Sequence, residues 1–146
     1  MQKYLILFGL GGFLYGLIEV LWRGYTHWTM MIAGGVCFCL FALISTKLKG
    51  IPFLYKCILG SLTVTTVEFV FGCVFNLLLG MEVWNYSHIP LNLFGQICLL
   101  FSVLWGFISI IAIPLADKVF NVLSDNQTSA EGRNLSELSA QGLGGN

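Results

Sequence analysis

The chain of 146 residues is 57% hydrophobic and 10% charged, with mean hydropathy +0.85 and seven basic residues balancing seven acidic ones. Against about 25% charged residues in ordinary globular domains, this excludes a soluble domain, a disordered chain and a basic nucleic-acid binder. What remains is an all-α integral membrane protein, because the apolar runs are continuous and do not alternate as barrel strands do.

Four apolar stretches reach the length of about 20 residues that a bilayer-crossing helix needs. They are Tyr4–Trp22, Trp28–Thr46, Cys57–Gly80 and Asn92–Ile113, and inside them the only acidic or basic residues are Glu19 and Glu68. The first stretch is too long for the apolar core of a signal peptide and no small-residue cleavage site follows it, so it reads as a span. It carries Gly9, Gly12, Gly16, Glu19 and Arg23 at spacings of three and four, which share one helical face. Glu19 precedes Arg23 by four residues, the favourable order for a helical ion pair. The glycines read as packing residues that let helices approach in lipid. They form no dinucleotide loop, since they lie inside an apolar helix with Leu14 where a third glycine is required.

The second stretch follows Tyr25-Thr26-His27. Trp22, Tyr25 and Trp28, with Trp84 and Tyr86 further on, read as an aromatic interface belt. The third stretch aligns Ser61, Thr65, Glu68, Gly72 and Asn76 on one face. Glu68 lies roughly 18 Å from Gly80 along the helix. A carboxylate at such depth costs at least about 2.5–3.5 kcal/mol, so it must be protonated, hydrogen-bonded or facing a wet cavity. The fourth stretch aligns Asn92, Gly95, Ser102, Gly106 and Ser109, with Gln96 nearby. The five cysteines, Cys37, Cys39, Cys57, Cys73 and Cys98, form no CxxC and no loop framework, and read as small packing residues. The fold expected is therefore a four-helix transmembrane domain over residues 1–118. Residues 119–146, rich in Ser, Asn, Gln and Gly, read as a disordered polar tail.

Residues 24–39 and 85–100 match at Tyr25/Tyr86, Thr26/Ser87, His27/His88, Gly34/Gly95 and Cys37/Cys98. This predicts two repeated helical hairpins of equal orientation. Placing the N-terminus inside puts Lys3, Lys47, Lys49, Lys56, Lys118 and Arg133 on the inner face and Arg23 alone outside. Both termini are thus expected in the cytoplasm of a multi-pass protein of the cell (inner) membrane.

Glu19, Arg23, His27, Glu68, Asn76, His88, Asn92 and Gln96 are then the candidates for one polar pathway or pocket near the outer half of the bundle. No HExxH-like spacing points to a metal, no Walker motif to nucleotide hydrolysis, and no Ser/His/Asp arrangement to nucleophilic chemistry. No cofactor is expected.

Glu19, Trp22-Arg23-Gly24, His27-Trp28 and Gly34-Gly35 resemble the first half of a family of small bacterial membrane proteins, the putative ABC-transporter type IV family. Glu68, Gly72, Asn76, Trp84-Asn85-Tyr86, Asn92 and Gly95-Gln96 resemble its second half, so the likeness covers roughly residues 8–113. The chain departs at Asn85, where members commonly carry Asp, so no acid–base role is carried to that position. The resemblance implies a permease-like transport component. Four helices without an ATPase domain imply a partner, either an ATPase subunit or further copies of the chain. Two other functions fit the same residues: a membrane-embedded enzyme with an acid/base site at the outer face, and a regulatory or scaffold subunit whose polar stripes only specify helix pairing.

The charge bias generates a direct test. A cysteine introduced by Gly50→Cys should resist membrane-impermeant thiol reagents applied to intact cells and react once the membrane is opened. Labelling from outside would reverse the orientation.

Overall fold

Four long helices carry the apolar stretches in a computed structural model that describes residues 2–143, with the side chains of residue 131 and residues 134–143 left aside. Helix α1 is Gln2–Arg23, α2 is Trp28–Lys47 and α3 is Phe53–Phe71. A π-helical turn, Gly72–Leu78, extends α3, and α4 is Leu99–Leu143. Each is long and apolar enough to cross a membrane, so the chain is a multi-pass membrane protein. Helix ends follow local chemistry. Arg23 and Lys47 sit in the last turns of α1 and α2, where they complement the negative end of the helix dipole. Gly24, at φ +81°, closes α1 with its N–H donating to Val20 O at 2.9 Å.

Helix α1 packs along α2, α3 packs along α4, and α2 contacts each of the other three long helices. The α1–α2 contact is set by glycine. A Cβ at Gly11 would strike Phe38 and lie 2.7 Å from Gly34 O; one at Gly34 would strike Tyr15 and lie 2.8 Å from Gly11 O. Gly12 and Gly35 are equally confined, against Met31 O at 2.5 Å and Phe8 O at 2.7 Å. Gly9, placed on the packing stripe by sequence, instead faces outward with nothing within 4 Å. Between α3 and α4 the glue is polar: Ser61 donates to Ser102 O, and Thr65 Oγ1 donates to Ser102 Oγ at 2.9 Å. Such bonds hold helices together where lipid supplies no hydrophobic drive. All five cysteines are free.

One expectation changes. The fourth span begins at Leu99, not Asn92, because residues 92–98 form a small turn in which Asn92–Leu93 pairs antiparallel with Ile97–Cys98. Gly95 sits in that turn at φ +68°, whereas its sequence match Gly34 lies inside α2. The two matched segments therefore differ in conformation. Helix α4 continues past Lys118 through Leu143. Its first turns there touch the bundle: Lys3 Nζ donates to Ser124 Oγ at 3.3 Å and lies 4.4 Å from the Phe120 ring centre. The segment has no proline to break the helix, and Ala, Glu and Leu favour it. Residues 144–146 of the expected tail lie outside the described residues.

Overpacking the α1–α2 seam should be costly. Gly34→Val should destabilise the folded chain by about 1–3 kcal/mol or more, read by thermal unfolding in detergent. Gly9→Ala should change nothing.

Candidate functional site

At the end of the bundle where α1 meets the 24–27 loop, the Glu19–Arg23 pair forms as its spacing predicts, with Oε1 and Nη2 2.9 Å apart. Thr26 Oγ1 donates to Glu19 Oε2 at 2.7 Å, and Arg23 Nη1 donates to Val83 O at 2.9 Å. The guanidinium also lies 4.5 Å from the Tyr25 ring centre. Arg23 Nε is buried without a hydrogen-bond acceptor, and Nη2 meets only the opposing charge of Glu19.

Residues 79–98 fold back over this end, and the π-turn holds them. Asn76 Oδ1 accepts from Val83 N at 2.7 Å, while its Nδ2 donates to Trp84 O at 3.0 Å and Gln96 Oε1 at 2.8 Å. Trp84 Nε1 donates to Gln96 O at 2.8 Å, and Gln96 Nε2 to Phe94 O at 2.8 Å. The peptide of Val83 is thus clamped on one side by α1 and on the other by the π-turn. Tightness shows in the backbone: Glu82, Leu91 and Phe94 adopt positive φ of 49–57° without being glycine.

Beneath this loop, between α1 and α4, lies a cavity of about 370 Å³, whose lining includes Glu19, Arg23, Tyr86, Trp84, Tyr15 and Trp105. Burial foremost pushes the Tyr86 phenol above its usual range, so it presents a neutral hydroxyl. On the floor, Tyr15 and Trp105 stack across from α1 to α4, ring centres 5.3 Å apart. Behind them Glu68, 2% exposed, accepts a hydrogen bond from Tyr15 Oη at 3.0 Å. The Trp105 indole stands beside the same carboxylate, its N–H buried and outside hydrogen-bonding geometry to any partner. The arrangement can therefore bind an ionic or amphiphilic group at the Glu19–Arg23 pair and hold an acid behind an aromatic gate.

The structure does not gather all the expected residues in one place. Glu19 and Arg23 line the cavity, and Glu68 stands behind Tyr15 without reaching the lining. Asn76 and Gln96 turn inward but spend their polar groups on the loop. His27 is the N-cap of α2, its Nδ1 2.8 Å from Thr29 Oγ1. Asn92 closes its own turn by donating to Ile89 O at 2.7 Å, and His88 stands exposed. Trp22 and Trp28 are exposed as interface residues are, but Trp84 is buried and Tyr86 half-buried, so both belong to the loop packing. Tyr15 and Trp105 were not legible as site residues. Only the four-residue step from Tyr15 to Glu19 pointed that way, since a tyrosine within an apolar span needs a partner for its hydroxyl. Among the described residues no three His, Cys, Asp or Glu side chains converge as a metal would require.

A family model described as Putative ABC-transporter type IV matches residues 4–132. No curated protein and no solved structure matches the chain.

The loop's dependence on one amide is testable. Asn76→Ala leaves Val83 N–H without its acceptor and should cost about 1–3 kcal/mol. It should also hasten proteolysis within residues 79–98, while the helix content seen by circular dichroism stays unchanged.

Proposed function

The chain belongs to the family described as Putative ABC-transporter type IV, and on that premise we propose that it is a permease-like transport subunit. It works with an ATPase partner or as an oligomer, its termini in the cytoplasm and its loop-covered end outside. The observation that carries this reading is Glu68, buried behind the Tyr15–Trp105 stack at the floor of the cavity between α1 and α4. An acid inside the hydrocarbon layer is expensive, and acids kept there line ion and substrate pathways. Helix pairing alone does not need it, because α3 and α4 are already joined by Ser61, Thr65 and Ser102. The sequence carries no Walker motif, so ATP hydrolysis in such a complex comes from another chain.

The acid/base reading loses support from the histidines, since His27 serves as a cap and His88 is exposed. The scaffold reading explains the serines and glycines but not the carboxylate.

The test compares cells lacking the gene with cells expressing the wild type or Glu68→Gln, by profiling metabolites and lipids on both sides of the membrane. Deletion should shift the distribution of a specific compound class. Glu68→Gln should reproduce most of that shift at normal membrane abundance. Full restoration by Glu68→Gln would remove the carboxylate from the pathway. Chemical conversion of the affected compound, rather than its redistribution, would favour an enzyme.

A further inference from the structure

The cavity at Glu19 and Arg23 does not end at the Tyr15–Trp105 stack. A second cavity of about 340 Å³ continues along the bundle between α1 and α4, sharing Tyr15, Ile18, Leu21, Trp105 and Ile108 with the first. Its floor is apolar, built from Phe38, Phe41 and Val64 of α2 and α3, and its rims, Leu17 and Ile111, are exposed. Helices α1 and α4 touch each other little, so the groove lies open along its side to the hydrocarbon of the bilayer. At its loop end it carries one acid and one base. Arg23 Nε is buried there without an acceptor, and Glu19 presents the opposite charge 2.9 Å from Nη2.

An apolar trough that opens sideways into a bilayer and ends in a paired positive and negative charge complements one kind of molecule. We infer that the groove between α1 and α4 binds a zwitterionic phospholipid from the bilayer, its phosphate accepting from Arg23, its ammonium facing Glu19 and one acyl chain lying past Ile18 and Ile108. A phosphate supplies the acceptor that Arg23 Nε lacks, and buried donors without partners are costly. The ammonium keeps the site neutral overall, which a purely anionic headgroup beside Glu19 does not. The proposal goes beyond transport: the site binds the lipid whether the chain moves it or only retains it.

The full chain, purified in detergent, is mixed with equal amounts of phosphatidylethanolamine, phosphatidylglycerol and diacylglycerol of matched acyl chains, and bound lipid is counted by native mass spectrometry. Wild type should retain one phosphatidylethanolamine per chain, at least tenfold over the other two. Ile18→Trp and Leu21→Trp, which fill the groove without touching the ion pair, should lower retention of every lipid about tenfold at unchanged melting temperature. Arg23→Gln should lose the preference for phosphate over diacylglycerol. Should that variant fail to fold, Glu19→Gln decides the headgroup, by shifting retention toward phosphatidylglycerol. Equal retention of the three lipids by wild type, a preference for phosphatidylglycerol, or retention untouched by both groove-filling variants overturns the proposal. None of these outcomes bears on the Glu68→Gln transport test, so the two readings fail separately.

Discussion

The close approach of α1 and α2 at Gly11 and Gly34 is the contact on which the rest depends. With no Cβ on either residue, each helix lies against the backbone carbonyl of the other, and Tyr15 is pressed onto α2 beside Gly34. That seat aims the Tyr15 hydroxyl across the bundle at Glu68 of α3. Lipid offers no hydrophobic drive to bring helices together, so dispersion at short range and interhelical hydrogen bonds must do so. The acid of α3 is thus satisfied by a residue of α1 whose position is decided by α2.

The same close seam explains the groove. Because α1 is drawn onto α2 along its glycine face, it meets α4 at few points: Lys3 reaches Ser124 at one end, and aromatic rings bridge the rest. Tyr15 stacks on Trp105 in the middle, and Trp22 meets Phe101 edge-on near the loop end at 6.2 Å. Tyr86 stacks on Phe101 at 4.8 Å and brings the covering loop into the same wall. Apart from the Arg23 contact to Val83 O, the loop is held by neutral amides and the indole of Trp84. Neutral donors and acceptors are cheaper to bury than charges. The π-turn contributes by displacing Asn76 from a regular helical ladder, so that one side chain reaches three backbone or side-chain partners.

Much of the architecture was legible from residue type alone. Long uncharged runs become helices in lipid because each backbone N–H and C=O must be satisfied within its own segment. The Glu19–Arg23 pair needed only the four-residue step. The fourth span was misplaced because residues 92–98 carry no charge, and Leu93, Phe94, Ile97 and Cys98 run on into the apolar helix that follows. What keeps them out of the helix is the αL glycine at 95 together with the long-range hold of Asn76 on Gln96. The matched segments 24–39 and 85–100 take different local structure, because a shared Tyr-Ser/Thr-His says nothing of what lies opposite it. His27 meets Thr29 at a helix start, whereas His88 lies eleven residues before the start of α4.

By itself the sequence determined the four apolar spans, the all-α class, the local ion pair and the presence of one acid within the third apolar run. Each follows from hydropathy or from helical spacing, which act within a single segment. Tertiary structure alone decided which glycines pack, which polar residues serve the loop and which the cavity, and that Tyr15 and Trp105 stand over Glu68. Those outcomes depend on contacts between residues 53 and 90 positions apart, and no periodicity along one helix specifies what a neighbouring helix brings to meet it.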